Sequence, residues 1–118
     1  MQRKLTKQSP GACAGSKALM CWIKERGICA ACGNSGGVIA HHFCGSSVKV
    51  MVGFERAMIG HWAINGLCQS CDDIVTHGTR KHFREIYGNE RDVWLDQVKD
   101  YHGYIPEIIK RGIGLCGK

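Results

Sequence analysis

The sequence predicts a small α+β fold: a zinc-stapled core of short strands with additional flanking helices. Three observations predict it. The chain has 118 residues, the length of one domain. Two C-x2-C pairs, Cys29/Cys32 and Cys68/Cys71, bracket an insert of 35 residues. Short strand-like runs lie between those pairs, and helical periodicity follows the second. Hydrophobic residues make up 44% and charged residues 22%, which excludes a wholly disordered chain. With 16 glycines and 8% aromatics the core is small, so a staple or a metal would help hold it.

Residues 1–14 read as a loose basic arm, with Pro10 and Gly11 and no periodicity, and residues 15–118 as the folded domain. Ser16 can cap a helix over 17–26, with Leu19, Trp22 and Ile23 on one face and Gly27 closing it. CAACGNSGG follows as a tight turn, then residues 38–42 as a short strand. In 43–60, Val48, Val50 and Val52 alternate as a strand would, whereas Phe54, Ala57 and Met58 suit a helical face. The stretch therefore reads as a long loop of mixed signals. Residues 62–67 read as a second strand. The run from Cys71 to Tyr87 reads as one helix with Phe83, Ile86 and Tyr87 on one face. A further helix spans 91–101, with Trp94, Val98 and Tyr101 at i, i+4, i+7. Pro106 opens a last helix that ends near Gly112, leaving GIGLCGK as a frayed tail.

Eight cysteines in 118 residues imply either a disulfide framework or a metal site. The opening MQRKLTKQSPGACAG has no apolar run behind its basic residues, so no secretory signal is expected. No stretch approaches the ~18 apolar residues of a membrane span. A cytoplasmic, reducing compartment is expected, which favours metal over disulfide. Two thiolates two residues apart on a tight turn point the same way, and two such turns make the tetrahedral four-thiolate site that Zn²⁺ prefers. A redox pair would need a βαβ setting, and c-type haem would need His where Gly33 and Asp72 stand. Cys13, Cys21, Cys44 and Cys116 are left over and read as buried small hydrophobes.

The net charge is +6 and unevenly spread. Residues 1–28 hold six Lys/Arg against the single acid Glu25, whereas 72–100 hold five against seven acids. A polyanion is the natural partner for such an N-terminus, and Arg3, Lys4, Lys7, Lys17 and Lys24 are the candidate DNA contacts. The plainer reading is that the charge keeps the protein soluble. The acidic stretch Glu90, Asp92, Asp96 and Asp100 reads as a solvated helix face turned away from DNA.

His41 and His42 are neighbours on a strand, so their side chains point to opposite faces unless the strand is irregular there. His61 precedes the second strand. Asp73 and His77 share a helix face at i, i+4, and carboxylate with imidazole suits a divalent metal. Taken together the order is knuckle, His-His strand, second strand, knuckle, and a helix bearing Asp and His.

On C29-A-A-C32-G, I39-A-H41-H42, H61-x5-L67-C68-x2-C71 and T76-H77-G78, the chain resembles the HNH (ββα-metal) endonucleases. K81-H-F83-R-E-I-Y87-G88 adds to the likeness, which runs from Ser16 to about Gly103. Within that group it is most similar to the phage recombination-enhancement nucleases that act with RecA filaments. The resemblance implies His42 as general base, His41 as a metal ligand, His77 as the helix ligand and His61 as the brace of the loop holding the base. Two positions depart from the pattern: Asp72 stands where His often follows the second knuckle, and His61 replaces Asn. Asp72 or Asp73 would then serve as ligand.

The resemblance implies one divalent ion, Mg²⁺, Mn²⁺ or a transition metal such as zinc, beside the structural zinc. It also implies DNA as substrate, a RecA-like filament as possible partner and a bacterial host cytoplasm. A metal-dependent DNA endonuclease is therefore expected. The alternatives are a non-catalytic zinc-knuckle nucleic-acid-binding protein and a structural zinc protein that binds another protein.

Overall fold

The computed structural model describes residues 13–45 and 48–116. The basic arm expected at the N-terminus, with Arg3, Lys4 and Lys7, lies outside the described residues. What is described is an α+β arrangement of five helices and two small antiparallel sheets.

Helix α1 (Ala14–Arg26) begins earlier than Ser16 suggests. Cys13 stands at the cap, and Ser16 lies inside the first turn, where its Oγ accepts the Cys13 N–H at 3.0 Å. The helix ends as expected at Gly27, whose φ of 63° admits the left-handed cap. Leu19 and Ile23 are buried, and Arg26 lies 4.8 Å over the Trp22 ring.

Strand β1 (Ile39–His42) pairs antiparallel with β4 (Ile64–Leu67), setting His41 opposite Asn65 and His42 opposite Ile64. Between them, the stretch read as a loop holds a hairpin of β2 (Lys49–Val52) and β3 (Glu55–Met58). The valine alternation carried the true signal. Gly53, with φ 63°, turns the chain, and Phe54 stands fully exposed at the tip rather than on a helical face.

The helix expected up to Tyr87 is two helices, α2 (Gln69–His77) and α3 (Arg80–Tyr87). The break falls at Gly78 and Thr79 because Thr79 caps α3, its Oγ1 accepting the His82 N–H at 3.0 Å. Helix α4 (Glu90–Val98) starts on Asn89, whose Oδ1 accepts the Arg91 N–H at 2.9 Å. Helix α5 (Glu107–Cys116) follows Pro106 and runs past Gly112 through most of the expected tail. It can do so because Gly112 packs directly on the hairpin. A side chain there would press on Ile59 at 2.8 Å and Val50 at 2.9 Å.

The main core joins Leu19, Ile23, Ile59, Ile64, Trp94 and Ile113. One edge of β4 has no strand partner and is completed by a side chain. Buried Gln97 donates to the Ile64 carbonyl at 2.9 Å and accepts the Gly66 N–H at 2.8 Å. Trp94 adds a 2.9 Å bond from Nε1 to the Trp62 carbonyl. These bonds lock α4 to β4 and so fix the height of Glu90 at the start of α4. A second small cluster, including Leu67, Val75 and Phe83, packs around Cys29 and Cys71.

Candidate functional site

The two knuckles close on one another. The Sγ atoms of Cys29, Cys32, Cys68 and Cys71 all lie within 4.8 Å of one another. Cys32 Sγ and Cys68 Sγ are 3.7 Å apart, against about 3.8 Å for two thiolates on one tetrahedral zinc at ~2.3 Å. The geometry and the all-sulfur donor set fit a structural zinc ion.

Local backbone makes the site. Gly33 turns with φ 81°, and the Cys32 N–H donates to Cys29 Sγ at 3.4 Å. The Ala30 N–H donates to the Gly66 carbonyl at 2.8 Å, which moors the first knuckle to β4. Burial pushes the Cys29 thiol up, but N–H donation from Cys32, Cys68 and Ala31 outweighs it and brings the thiol down to about 7. Burial pushes the Cys71 thiol up. The Cys29 thiol is thereby shifted toward the thiolate, the form that binds metal.

A second cluster joins β1, α2 and α4. His41 is flanked by two carboxylates. Its Nε2 is 3.1 Å from Glu90 Oε1, and its Nδ1 is 3.7 Å from Asp72 Oδ1. The three side chains are 17%, 11% and 16% exposed, so the group is largely screened from water. Arg80 Nε stands 3.8 Å from Glu90 Oε2. A carboxylate accepting the Nε2 proton fixes the other tautomeric nitrogen, Nδ1, as the lone-pair donor facing Asp72. Asn65, opposite His41 in the sheet, donates to the Glu90 carbonyl at 3.1 Å and holds the start of α4 in place.

His42 lies half-buried next to His41. Its ring meets His61 edge to face at 5.3 Å. The Nε2 atoms of both rings are buried and have no hydrogen-bond partner among the described residues. Burial lowers the His42 pKa, and the neighbouring His61 and His41 lower it further. The ring is thereby kept neutral, the state a base needs.

The sequence-predicted residues thus separate. The four cysteines assemble, His41 meets Asp72, and His42 meets His61. Asp73 and His77 do not join them. They face each other at 3.9 Å on the outer side of α2, with His77 78% exposed. Adjacent helix positions are about 100° apart, so Asp72 and Asp73 cannot serve the same side. Among the described residues the four cysteines are the one group of three or more close metal donors. His41 and Asp72 bring only two donor groups together, 3.7 Å apart.

Glu90 corrects the expectation of a solvated face. It shares the stripe of Trp94 and Gln97 at i, i+4, i+7, and that periodicity was the signal for it. The leftover cysteines are also corrected. Cys44 and Cys116 form a disulfide, and Cys13 and Cys21 are exposed rather than buried. Pairing across 72 residues of sequence has no local signal. Lys17 and Lys24 are exposed, two turns apart on one face of α1, and available to a polyanion.

Among the described residues no helix is long and apolar enough to cross a membrane. In comparisons with known proteins, no family model, no curated protein and no solved structure matches the chain.

Proposed function

We propose that this protein is an HNH-type, divalent-metal-dependent endonuclease hydrolysing phosphodiester bonds in DNA. The observation that carries the reading is His41 held between Glu90 and Asp72, beside a neutral His42. The order of elements supports it: an antiparallel β1–β4 pair leading directly into α2, with a four-cysteine staple at its base.

In this reading a divalent ion, when bound, offsets charge on the scissile phosphate and on the leaving oxygen. Asp72 and His41 Nδ1 would hold it. Glu90 orients His41 by accepting a hydrogen bond from its Nε2–H. His42 takes the proton of the attacking water. Since His42 Nε2 is buried, that proton goes to Nδ1. His61 packs against the His42 ring and restricts its rotation, the bracing role the resemblance assigns it. DNA is the substrate, and a RecA-like filament is the partner the resemblance adds.

The second reading is a zinc-stapled nucleic-acid-binding protein without catalysis. The placement of His77 outside the His41 cluster favours it. Nicking of supercoiled plasmid separates the two. Wild-type protein with Mg²⁺ or Mn²⁺ is expected to nick, and His42→Ala is not. Wild-type protein that nicks with neither metal, with or without a RecA filament, rejects the nuclease.

A further inference from the structure

We infer that the cleft between α3 and the Cys44–Cys116 bridge is a phosphate clamp for a nucleic-acid strand, built on Arg80 and Arg84. The inference rests on the nucleic-acid reading above and extends it to a site outside the His41 cluster. Arg80 and Arg84 are one turn apart, so they share a face of α3. That face borders a cavity of about 120 Å³ whose other walls include Asn89, Glu90 and the two bridged cysteines. The space suits one tetrahedral oxyanion.

Charge decides what the cleft prefers. Among the described residues its one carboxylate is Glu90, and that group is already engaged by His41 at 3.1 Å and by Arg80 at 3.8 Å. Arg84 is exposed and makes no ion pair with any described residue. A planar guanidinium left without a carboxylate, beside a second one, favours a bidentate anionic partner. The bridge joins the turn after His42 to the end of α5 and makes the far wall a fixed one.

Position decides which phosphate it takes. Glu90 touches Arg80 with one oxygen and His41 with the other, so the cleft adjoins the His41–Asp72 pair. A strand with one phosphate at His41 would present a neighbouring phosphate to the arginines. Such contacts position the strand without reading its sequence.

The test uses the full zinc-loaded chain carrying His42→Ala, so that binding is read without cleavage. Anisotropy of a fluorescein-labelled mixed-sequence DNA duplex is followed across salt from about 50 to 200 mM. Arg84 is the residue to change, because altering Arg80 would also disturb Glu90. Arg84→Ala is expected to weaken binding and reduce the log–log salt slope by about 0.9, the value for one lost phosphate contact. Arg84→Glu is expected to weaken it more. Arg84→Lys should keep the slope and lose part of the affinity. Arg111→Ala, which removes an exposed arginine paired with Glu107 at 3.7 Å, should change neither. Unchanged affinity and slope in both Arg84→Ala and Arg84→Glu overturn the clamp, as does a parent chain that binds no DNA. Plasmid nicking by wild type with an unchanged Arg84→Ala slope removes the clamp and leaves the nuclease. A reduced slope without nicking removes the nuclease and leaves the clamp.

Discussion

His41 Nε2 and Glu90 Oε1 stand 3.1 Å apart, joining the middle of β1 to the first residue of α4 across 49 positions of sequence. The contact commits one imidazole nitrogen to a carboxylate and leaves the other facing Asp72. If His41 is a ligand, Glu90 sets its tautomer. Glu90→Ala is expected to lower the plasmid-nicking rate 10- to 100-fold, in the range of ~10–100-fold seen for groups behind metal-bound histidines. Glu90→Gln keeps an acceptor and should retain more activity. The far-ultraviolet circular dichroism of both variants should match wild type. Equal rates in all three proteins would remove Glu90 from the mechanism.

The four-cysteine cluster predicts one zinc per chain by elemental analysis. Structural zinc contributes on the order of 10 kcal/mol, which matches or exceeds the stability of a typical domain. Cys68→Ser, or prolonged treatment with a strong chelator, should therefore abolish the cooperative thermal transition. A chelated chain that melts like the loaded one would show that the sulfurs are only neighbours.

His42 gives a pH dependence with a definite sign. Burial, with His61 and His41, holds its pKa below the usual imidazole value of about 6.5. Above that pH the ring is neutral both folded and unfolded, and its contribution is constant. As pH falls below it, the unfolded chain takes up a proton that the folded ring resists, so stability drops until the folded pKa is reached. The urea midpoint should fall between about pH 7 and 5, and His42→Gln should reduce that fall. The nicking rate should likewise persist below the pH at which free imidazole titrates.

The Cys44–Cys116 bridge predicts six reactive thiols, not eight, in metal-free chain unfolded without reductant. Closing a loop across 72 positions is worth about 4 kcal/mol in the chain-entropy account. Cys116→Ser should lower the unfolding free energy by up to that amount in urea titration. An eight-thiol count would contradict the bridge.

How much of this was legible follows from how local each signal is. The four-cysteine cluster could be read because each C-x2-C pair is a complete turn in itself, and α1 because Leu19, Ile23 and Gly27 carry their own period and stop. The β2–β3 hairpin was obscured because Phe54, at its exposed tip, imitated a helical face together with Ala57 and Met58. The split between α2 and α3 depended on one hydroxyl, that of Thr79. In the candidate site, the resemblance singled out His41 and His42 and left Asp72 and Asp73 as alternatives, and only the fold shows that Asp72 is the one that meets His41. Glu90 was hidden behind its acidic neighbours, although the stripe through Trp94 included it. Arg84 and the bridge belong to a cleft formed by segments distant in sequence, which no window of the chain contains.

The most direct measurement compares Asp72→Asn and Asp73→Asn in Mn²⁺-dependent nicking of supercoiled plasmid. These residues are neighbours on α2, one 3.7 Å from His41 and the other paired outward with His77. The account predicts that wild type and Asp73→Asn nick at similar rates, while Asp72→Asn loses the activity. It is contradicted if wild type does not nick, or if Asp73→Asn is inactive and Asp72→Asn is not.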